Sequence, residues 1–295
     1  MEGLVDLVPN RPIPARRVAE MDTEAERIRI DASLGSMTWR TWGKGRAILL
    51  LHGGSGSWSH WIRNISPLAT YYRVSAPDMP GFGDSDNIPE PASTEIVADA
   101  VRVALSRVIG TEPVVIVGFS FGAMVGAWLA KKLPRQVTAL VLVGAVGLGL
   151  RRNAIELHSW RRLADSAERR KAHRANLQAL MIHDHDCIDE LAIYLQQQNA
   201  ERTRLNTRRF SRSNPLSENL TQIDVPLAAI WGEHDVTAAP FLDERREFLH
   251  RVRPGAPFEV IKNAGHWVQY EAADQFNAVL LRLLEVLQPN TGRTD

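Results

Sequence analysis

Two kinds of pattern alternate along the chain. Short, nearly continuous apolar runs end in glycine, proline or a polar turn: "RAILLLHGG", "YRVSAPD", "PVVIVGFS", "QVTALVLVGA", "PLAAIWGEHD" and "FEVIKNAGH". Their length and β-branched content predict strands buried on both faces. Between them, "SHWIRNISPLA", "TEIVADAVRVALSRVI", "FGAMVGAWLAKKL", "PFLDERREFLHRV" and "VQYEAADQFNAVLLRLLEVL" repeat apolar residues every three or four positions and predict helices. Upstream, "ERIRIDA" and "SMTWRTWG" alternate as the arms of an edge hairpin would. Strands alternating with helices predict an α/β fold with a mostly parallel sheet covered on both faces. Ligands of such sheets bind beyond the carboxyl ends of the strands, so the residues just past each apolar run are the ones that matter.

Residues 147–213 break this rhythm. They are helical in pattern, poor in strand formers and rich in arginine, with thirteen Lys or Arg against eight Asp or Glu between 148 and 212, whereas the whole chain carries a formal charge of only +1. The segment reads as an insertion whose charge is either a solvated helical face or a bias toward an anionic substrate. A length of 295 residues, 44% of them hydrophobic and 23% charged, fits one large domain carrying such an insertion. Near neutrality gives no reason to expect nucleic acid or a membrane surface as partner. The only cysteine, Cys187, cannot form an internal disulfide, and "MEGLVDLVPNRPIPARR" has no apolar run of signal-peptide length, which together predict a cytoplasmic protein. The longest apolar runs, such as "VTALVLVGAVGLGL", fall short of the roughly 20 residues that span a bilayer.

The candidate chemistry begins at Ser120. Gly118 and Gly122 flank it in a Gly-x-Ser-x-Gly pattern between a predicted strand and a predicted helix, the context of a nucleophile elbow. Small neighbours let the chain reverse while the serine is held in a strained conformation that exposes its hydroxyl. The helix starting at Phe121 aims free amides and its positive dipole end at an oxyanion formed there. A serine hydroxyl needs a base, and the base an orienting acid. His266 follows the last strand; His250 lies within a helical pattern, and His234 is too local to its neighbour Asp235 to be oriented by it. For the acid, "IWGEHDVTAAP" offers Asp235, with Glu233 as fallback.

In "LLLHGGSGSW", Gly54 leads Gly53 and Ser55 as the second oxyanion donor beside the Phe121 amide, and His52 shapes the loop. Gly53, Ser55, Trp58, Phe119 and Trp267 are candidate substrate contacts, with core packing as the competing role for Trp58, Trp61 and Trp267. The turn-rich "DMPGFGDSD" packs beside the elbow, and Gly81 and Gly83 lack the strand-to-helix setting of a phosphate loop. In "MIHDHDC", adjacent residues point in different directions, so it reads as a polar loop rather than a metal site. No metal or cofactor is implied.

The motifs "HGG", "PGFGDSD", "GFSFG", "GEHD" and "AGHW", in this order, resemble the α/β-hydrolase superfamily over nearly the whole chain. The resemblance implies an eight-stranded, mostly parallel sheet, a Ser120, Asp235 and His266 triad, and a helical lid inserted after the sixth strand. The core is then expected in residues 1–146 and 214–295 and the lid in 147–213. Within the superfamily, "HGGSGSW" and "GHWVQYEAADQFN" look most similar to hydrolases of the meta-cleavage products of aromatic degradation, which cleave carbon-carbon bonds. Those relatives usually have Asn before the nucleophile and Met after it, where this chain has Phe119 and Phe121. They carry a lid arginine for the substrate carboxylate, for which Arg202, Arg204, Arg208 and Arg209 are the candidates here. Dehalogenases and soluble epoxide hydrolases use Asp at the position of Ser120. The expected function is therefore serine-mediated hydrolysis of a small-molecule carboxylic ester, ahead of carbon-carbon hydrolysis and of ligand reception without turnover. The reading leaves room for a homo-oligomer.

Overall fold

The computed structural model describes residues 13–32, 35–212 and 215–287. One sheet runs in the order β1-β2-β4-β3-β5-β6-β7-β8, built from β1 (Glu26–Ala32), β2 (Gly35–Trp42), β3 (Ala47–Leu51), β4 (Arg73–Pro77), β5 (Val114–Phe119), β6 (Val137–Val143), β7 (Leu227–Gly232) and β8 (Phe258–Ile261). β1 pairs with β2, and β2 with β4, antiparallel, and every pair from β4 onward is parallel. The alternating pattern at 26–42 therefore forms the edge hairpin expected of it; residues 33–34 of its turn lie outside the described residues.

The helices are α1 (Ile13–Glu24), α2 (Ile65–Ala69), α3 (Thr94–Val108), α4 (Phe121–Lys132), α5 (Ser166–Asn176), α6 (Glu190–Glu201), α7 (Pro215–Leu220), α8 (Leu242–Val252), α9 (Val268–Glu271) and α10 (Ala273–Leu287). Strands buried on both faces divide the core in two: Val114 and Ile116 of β5 join the cluster under α3 and α4, while Val115 and Val117 join the one under α2 and α10. Period-two alternation sends successive side chains to opposite faces, so a continuous apolar run serves both layers. Ser93 caps α3 by accepting the Ile96 amide, and Lys131 and Lys132 meet the carbonyl end of α4.

Three expectations are corrected. "SHWIRNISPLA" is a 3-10 turn at Trp58–Trp61 followed by the short α2. The last pattern is broken at Ala272 into α9 and α10. The arginine-rich insertion after β6 is not helical at its start: residues 151–165 have no helix. There, side chains satisfy the backbone. Asn153 donates to the carbonyls of Val236 and Ala239, and Asn176 both accepts from and donates to the backbone of His158. Helix begins only at α5, continues through a π turn at Leu177–Met181, and returns in α6 and in a 3-10 turn at Thr207–Arg212. The segment's far boundary at 213–214, and the first twelve residues on which the cytoplasmic reading leans, lie outside the described residues. Among the described residues no helix is long and apolar enough to cross a membrane.

Candidate active site

β5 ends at Phe119, α4 starts at Phe121, and Ser120 between them takes φ 51° and ψ −111°. This is strained backbone for a residue with a side chain, of the kind concentrated at functional sites. The flanking glycines are required by close approach. A Cβ on Gly118 would lie 2.6 Å from Ala123 Cα, and one on Gly122 would lie 2.3 Å from the Leu51 carbonyl oxygen. The elbow thus packs its backbone directly on β3.

Ser120 Oγ lies 3.1 Å from His266 Nε2, and His266 Nδ1 lies 2.8 Å from Asp235 Oδ2. A carboxylate only accepts, so Nδ1 carries the proton, and in the neutral ring Nε2 is left to accept the serine hydroxyl proton. Asp235 is fully buried, and its other oxygen accepts from the Thr237 amide at 2.8 Å and hydroxyl at 2.7 Å. The fallback acid, Glu233, is spent elsewhere, accepting the Asn263 amide and facing His234. Gly144, just past β6 with φ +48°, holds the relay from behind: a Cβ there would sit 3.2 Å from both Asp235 Oδ2 and His266 Nδ1.

The loop after β3 completes the floor. His52 Nε2 accepts the Met79 amide at 3.0 Å, so Nδ1 donates to the Gly53 carbonyl at 2.8 Å. Both ring nitrogens are engaged, burial holds the imidazole's pKa below its ordinary value, and the residue shapes the loop as expected. The Gly53 amide donates to His60 Nδ1 at 3.2 Å and is thereby engaged within the loop. Ser55 of the same loop takes φ 51°. Buried His60 is driven well below the ordinary histidine range, first by burial and then by the neighbouring His52 and His266, which fits its role as an acceptor.

Above this floor lies a cavity of about 960 Å³, reached by Ser120, His266, Gly53, Gly54, Ser55, Phe119 and Phe121. Phe119 contributes its ring, 5.0 Å from that of His266. Trp58 and Trp267, expected as substrate contacts, do not line the cavity. The ring of Trp58 packs on Trp42 and under the Arg40 guanidinium, and its amide donates to Asp78. Trp267 stacks on Tyr270 with centroids 4.1 Å apart and donates to the His60 carbonyl. Both hold the floor from beneath. Asp78 itself pairs with buried Arg40 at 3.0 Å, which ties the turn-rich loop 78–86 to β2.

Much of the cavity lining comes from residues 152–208, between β6 and β7. This lining presents Arg152, Arg161, Arg204 and Arg208 and, among its described residues, no Asp or Glu. Of the four candidates for a lid arginine, Arg202 pairs with Asp84, Arg209 pairs with Glu90, and the Arg204 guanidinium donates to the carbonyls of Arg202 and Ser85. His60, Thr237, Arg152 and Arg161 were not expected at the site. Only the proximity of Thr237 to Asp235 in the sequence offered a signal. The "MIHDHDC" segment is a polar turn tied by the His183 and Asp184 amides to Glu271. Among the described residues no group of three His, Cys, Asp or Glu could hold a metal ion.

The chain is 28% identical over 256 residues to 2-hydroxy-6-oxo-6-phenylhexa-2,4-dienoate hydrolase of Burkholderia cepacia, covering 82% of this chain and 88% of that protein. It is likewise 28% identical over 260 residues to a 2-hydroxy-6-oxononadienedioate/2-hydroxy-6-oxononatrienedioate hydrolase of Comamonas testosteroni, with the same shares. The fold superposes with a TM-score of 0.73 on a serine hydrolase of the polyaromatic hydrocarbon-degrading Cycloclasticus zankles, at 22% identity over 90% of this chain and 100% of that one. A family model described as the alpha/beta hydrolase family matches residues 48–279, from β3 through the elbow to α10, and the chain belongs to that family.

Proposed function

We propose that the chain is a serine hydrolase of a small, carboxylate-bearing ester. The observation that carries this reading is the unbroken line Ser120 Oγ, His266, Asp235 at the floor of the cavity, with hydrogen-bond lengths of 3.1 Å and 2.8 Å. Ser120 attacks the carbonyl as His266 Nε2 takes its proton. Asp235 stabilises the imidazolium, and the amides of Phe121 and Gly54 bind the oxyanion. His266 then returns the proton to the leaving alkoxide, and water repeats the cycle on the acyl-enzyme. Residues 147–213 act as the lid, and their arginines supply the bias toward an anion. The arginines that line the cavity are solvent-exposed and favour a negative group by an attraction that salt weakens.

A second reading, hydrolysis of a carbon-carbon bond in a vinylogous 1,5-diketone acid, is favoured by the names of the relatives. It ranks second because that reaction must also ketonise the dienol and protonate a carbanionic fragment. The residues flanking the nucleophile are Phe119 and Phe121, and α6 offers the cavity Gln196 and Ala200. Following p-nitrophenol release and bleaching of a yellow meta-cleavage product with one preparation compares the two. The ester kcat/KM is expected to be the larger, and a dienoate value tenfold above it, about 1.4 kcal/mol of preferential transition-state stabilisation, reverses the ranking. A carboxylated ester is expected to beat its neutral isostere by a margin that shrinks with salt. Ser120→Ala is expected to abolish both activities while the protein stays folded, and turnover above about a tenth of wild type removes the serine from its role.

A further inference from the structure

The 3-10 turn Thr207–Arg212 brings a hydroxyl from the insertion to the oxyanion loop. A Cβ built on Gly54 would lie 2.3 Å from Thr207 Oγ1, nearer than to Thr207 Cβ at 3.5 Å or Cγ2 at 3.9 Å, so the side chain turns its oxygen, and not its methyl, toward Gly54. Thr207 is half-buried and lines the same cavity as Ser120, His266 and the oxyanion loop.

The segment that carries it is pinned on both sides. Upstream, the Arg204 amide donates to the Gly81 carbonyl at 2.9 Å, its guanidinium donates to the Ser85 carbonyl, and Leu205 is buried against Gly81. Downstream, Arg209 donates to both Glu90 oxygens at 2.9 Å, and the ring of Phe210 stacks on that of Phe121 with centroids 6.0 Å apart. Phe121 and Gly54 are the two residues whose amides face an oxyanion in the proposed mechanism. Thr207 therefore sits on a segment docked against one of them and points its hydroxyl at the other.

We infer that Thr207 is a catalytic residue whose hydroxyl donates a third hydrogen bond to the oxyanion formed by attack of Ser120. The inference rests on the serine-hydrolase reading. A hydroxyl oriented before the reaction stabilises charge that develops only in the transition state, so its removal lowers kcat more than it raises KM. It also makes turnover depend on the docked position of the insertion, because the donor leaves the oxyanion loop whenever residues 204–210 lift away.

The test compares Thr207→Val, which keeps the shape and removes the donor, with Thr207→Ser, which keeps the donor, in the full chain. Two readouts are used: turnover of a p-nitrophenyl ester, and inactivation by a p-nitrophenyl phosphonate. In the second, the Ser120 oxygen displaces p-nitrophenolate from phosphorus, its proton passes to His266, and the phosphoryl oxygen occupies the oxyanion position. Thr207→Val is expected to lower kcat by about 10- to 100-fold with KM within about twofold, and to slow phosphonylation by a similar factor; single oxyanion donors are worth about this much or more. Thr207→Ser is expected to stay within about threefold of wild type in both.

A kcat for Thr207→Val within twofold of wild type, a change confined to KM, or equal losses in the Val and Ser variants would each overturn the inference. Ser120→Ala in the same assays separates the two failures. If it retains turnover and phosphonylation, the serine mechanism falls; if it is dead while Thr207→Val is unimpaired, only the role of Thr207 falls.

Discussion

At the scale of single residues, the site is a chain of hydrogen bonds whose direction follows from which atoms can only accept. Asp235 takes three: two from Thr237, which lock the carboxylate in rotation, and one from His266, which sets the imidazole tautomer. Asp235→Asn keeps the size but presents an NH₂ or a weaker acceptor to Nδ1, favouring the wrong tautomer. We expect a loss of roughly 10⁴ in kcat, with Glu233→Gln close to wild type because Glu233 faces Asn263 and His234. Steady-state kinetics of the two variants decides, and the reverse pattern makes Glu233 the acid. The meeting of Ser120, His266 and Asp235 was legible in the sequence because each lies in the loop beyond an apolar run, at the carboxyl edge of a parallel sheet. His60, Gly144 and Thr207 were not legible. Their importance comes from atoms far along the chain, the Gly53 amide, the Asp235 and His266 pair, and Gly54, and no local pattern encodes those meetings. The tryptophans misled for a related reason: apolar rings suit a pocket or a core equally, and it is the Arg40 cation and the His60 carbonyl that draw Trp58 and Trp267 beneath the floor.

At the scale of elements, the segment between β6 and β7 is tied to the rest of the fold at two places. One is the contact of residues 204–210 with the loop 81–92 and Phe121. The other is Glu271 of α9, whose carboxylate accepts the amides of His183 and Asp184 in the insertion and of Gly265 beside His266. Three backbone donors on one anion join the two segments that bracket the triad histidine, and the Trp267 amide adds a bond to the Met181 carbonyl at 2.7 Å. Hydrogen bonds to a charged partner contribute about 1.5–3 kcal/mol each to stability at their strongest, less at a partly exposed site such as this. Glu271→Ala is expected to lower Tm by several degrees and to open residues 177–190 to limited proteolysis before the rest of the chain. An unchanged Tm and cleavage pattern would mean that packing alone holds this junction. The regular elements were largely read correctly from periodicity. The errors fall where side chains replace helical hydrogen bonds, as Asn153 and Asn176 do over 151–165, where a helical pattern is short or broken, as at Trp58–Trp61 and Ala272, and in α1, which was not read and fully buries none of its residues.

At the scale of the whole molecule, charge and burial together set how the fold responds to acid. His52, His60 and His173 are buried, and burial is the first cause holding each of them below the ordinary value of 6.5. They fold as neutral rings and regain ordinary basicity when the chain unfolds, so below pH 6.5 the unfolded state binds more protons. Stability is then complete above about pH 6.5 and is lost as the pH falls from there through the folded-state values, at up to about 1.4 kcal/mol per pH unit for each ring. Carboxylates such as Asp84, where burial pushes the pKa up but the bond and charge of Arg40 with the charges of Arg202 and Arg27 together outweigh it and hold it low, lose their contribution only at more acid pH, below their ordinary 3.8. The two windows are separable. His173 offers the cleanest handle, because neither of its ring nitrogens has a partner among the described residues and its ring packs on Trp160 with centroids 4.9 Å apart. His173→Leu exchanges an imidazole whose polar atoms are unmet for an apolar side chain that keeps the packing on Trp160. It is expected to match or exceed the wild-type Tm at pH 8 and to show a visibly smaller fall in Tm between pH 7 and pH 5. Parallel curves for the two proteins over that interval would show that protonation of His173 plays no part in acid unfolding and would leave His52 and His60 to account for it.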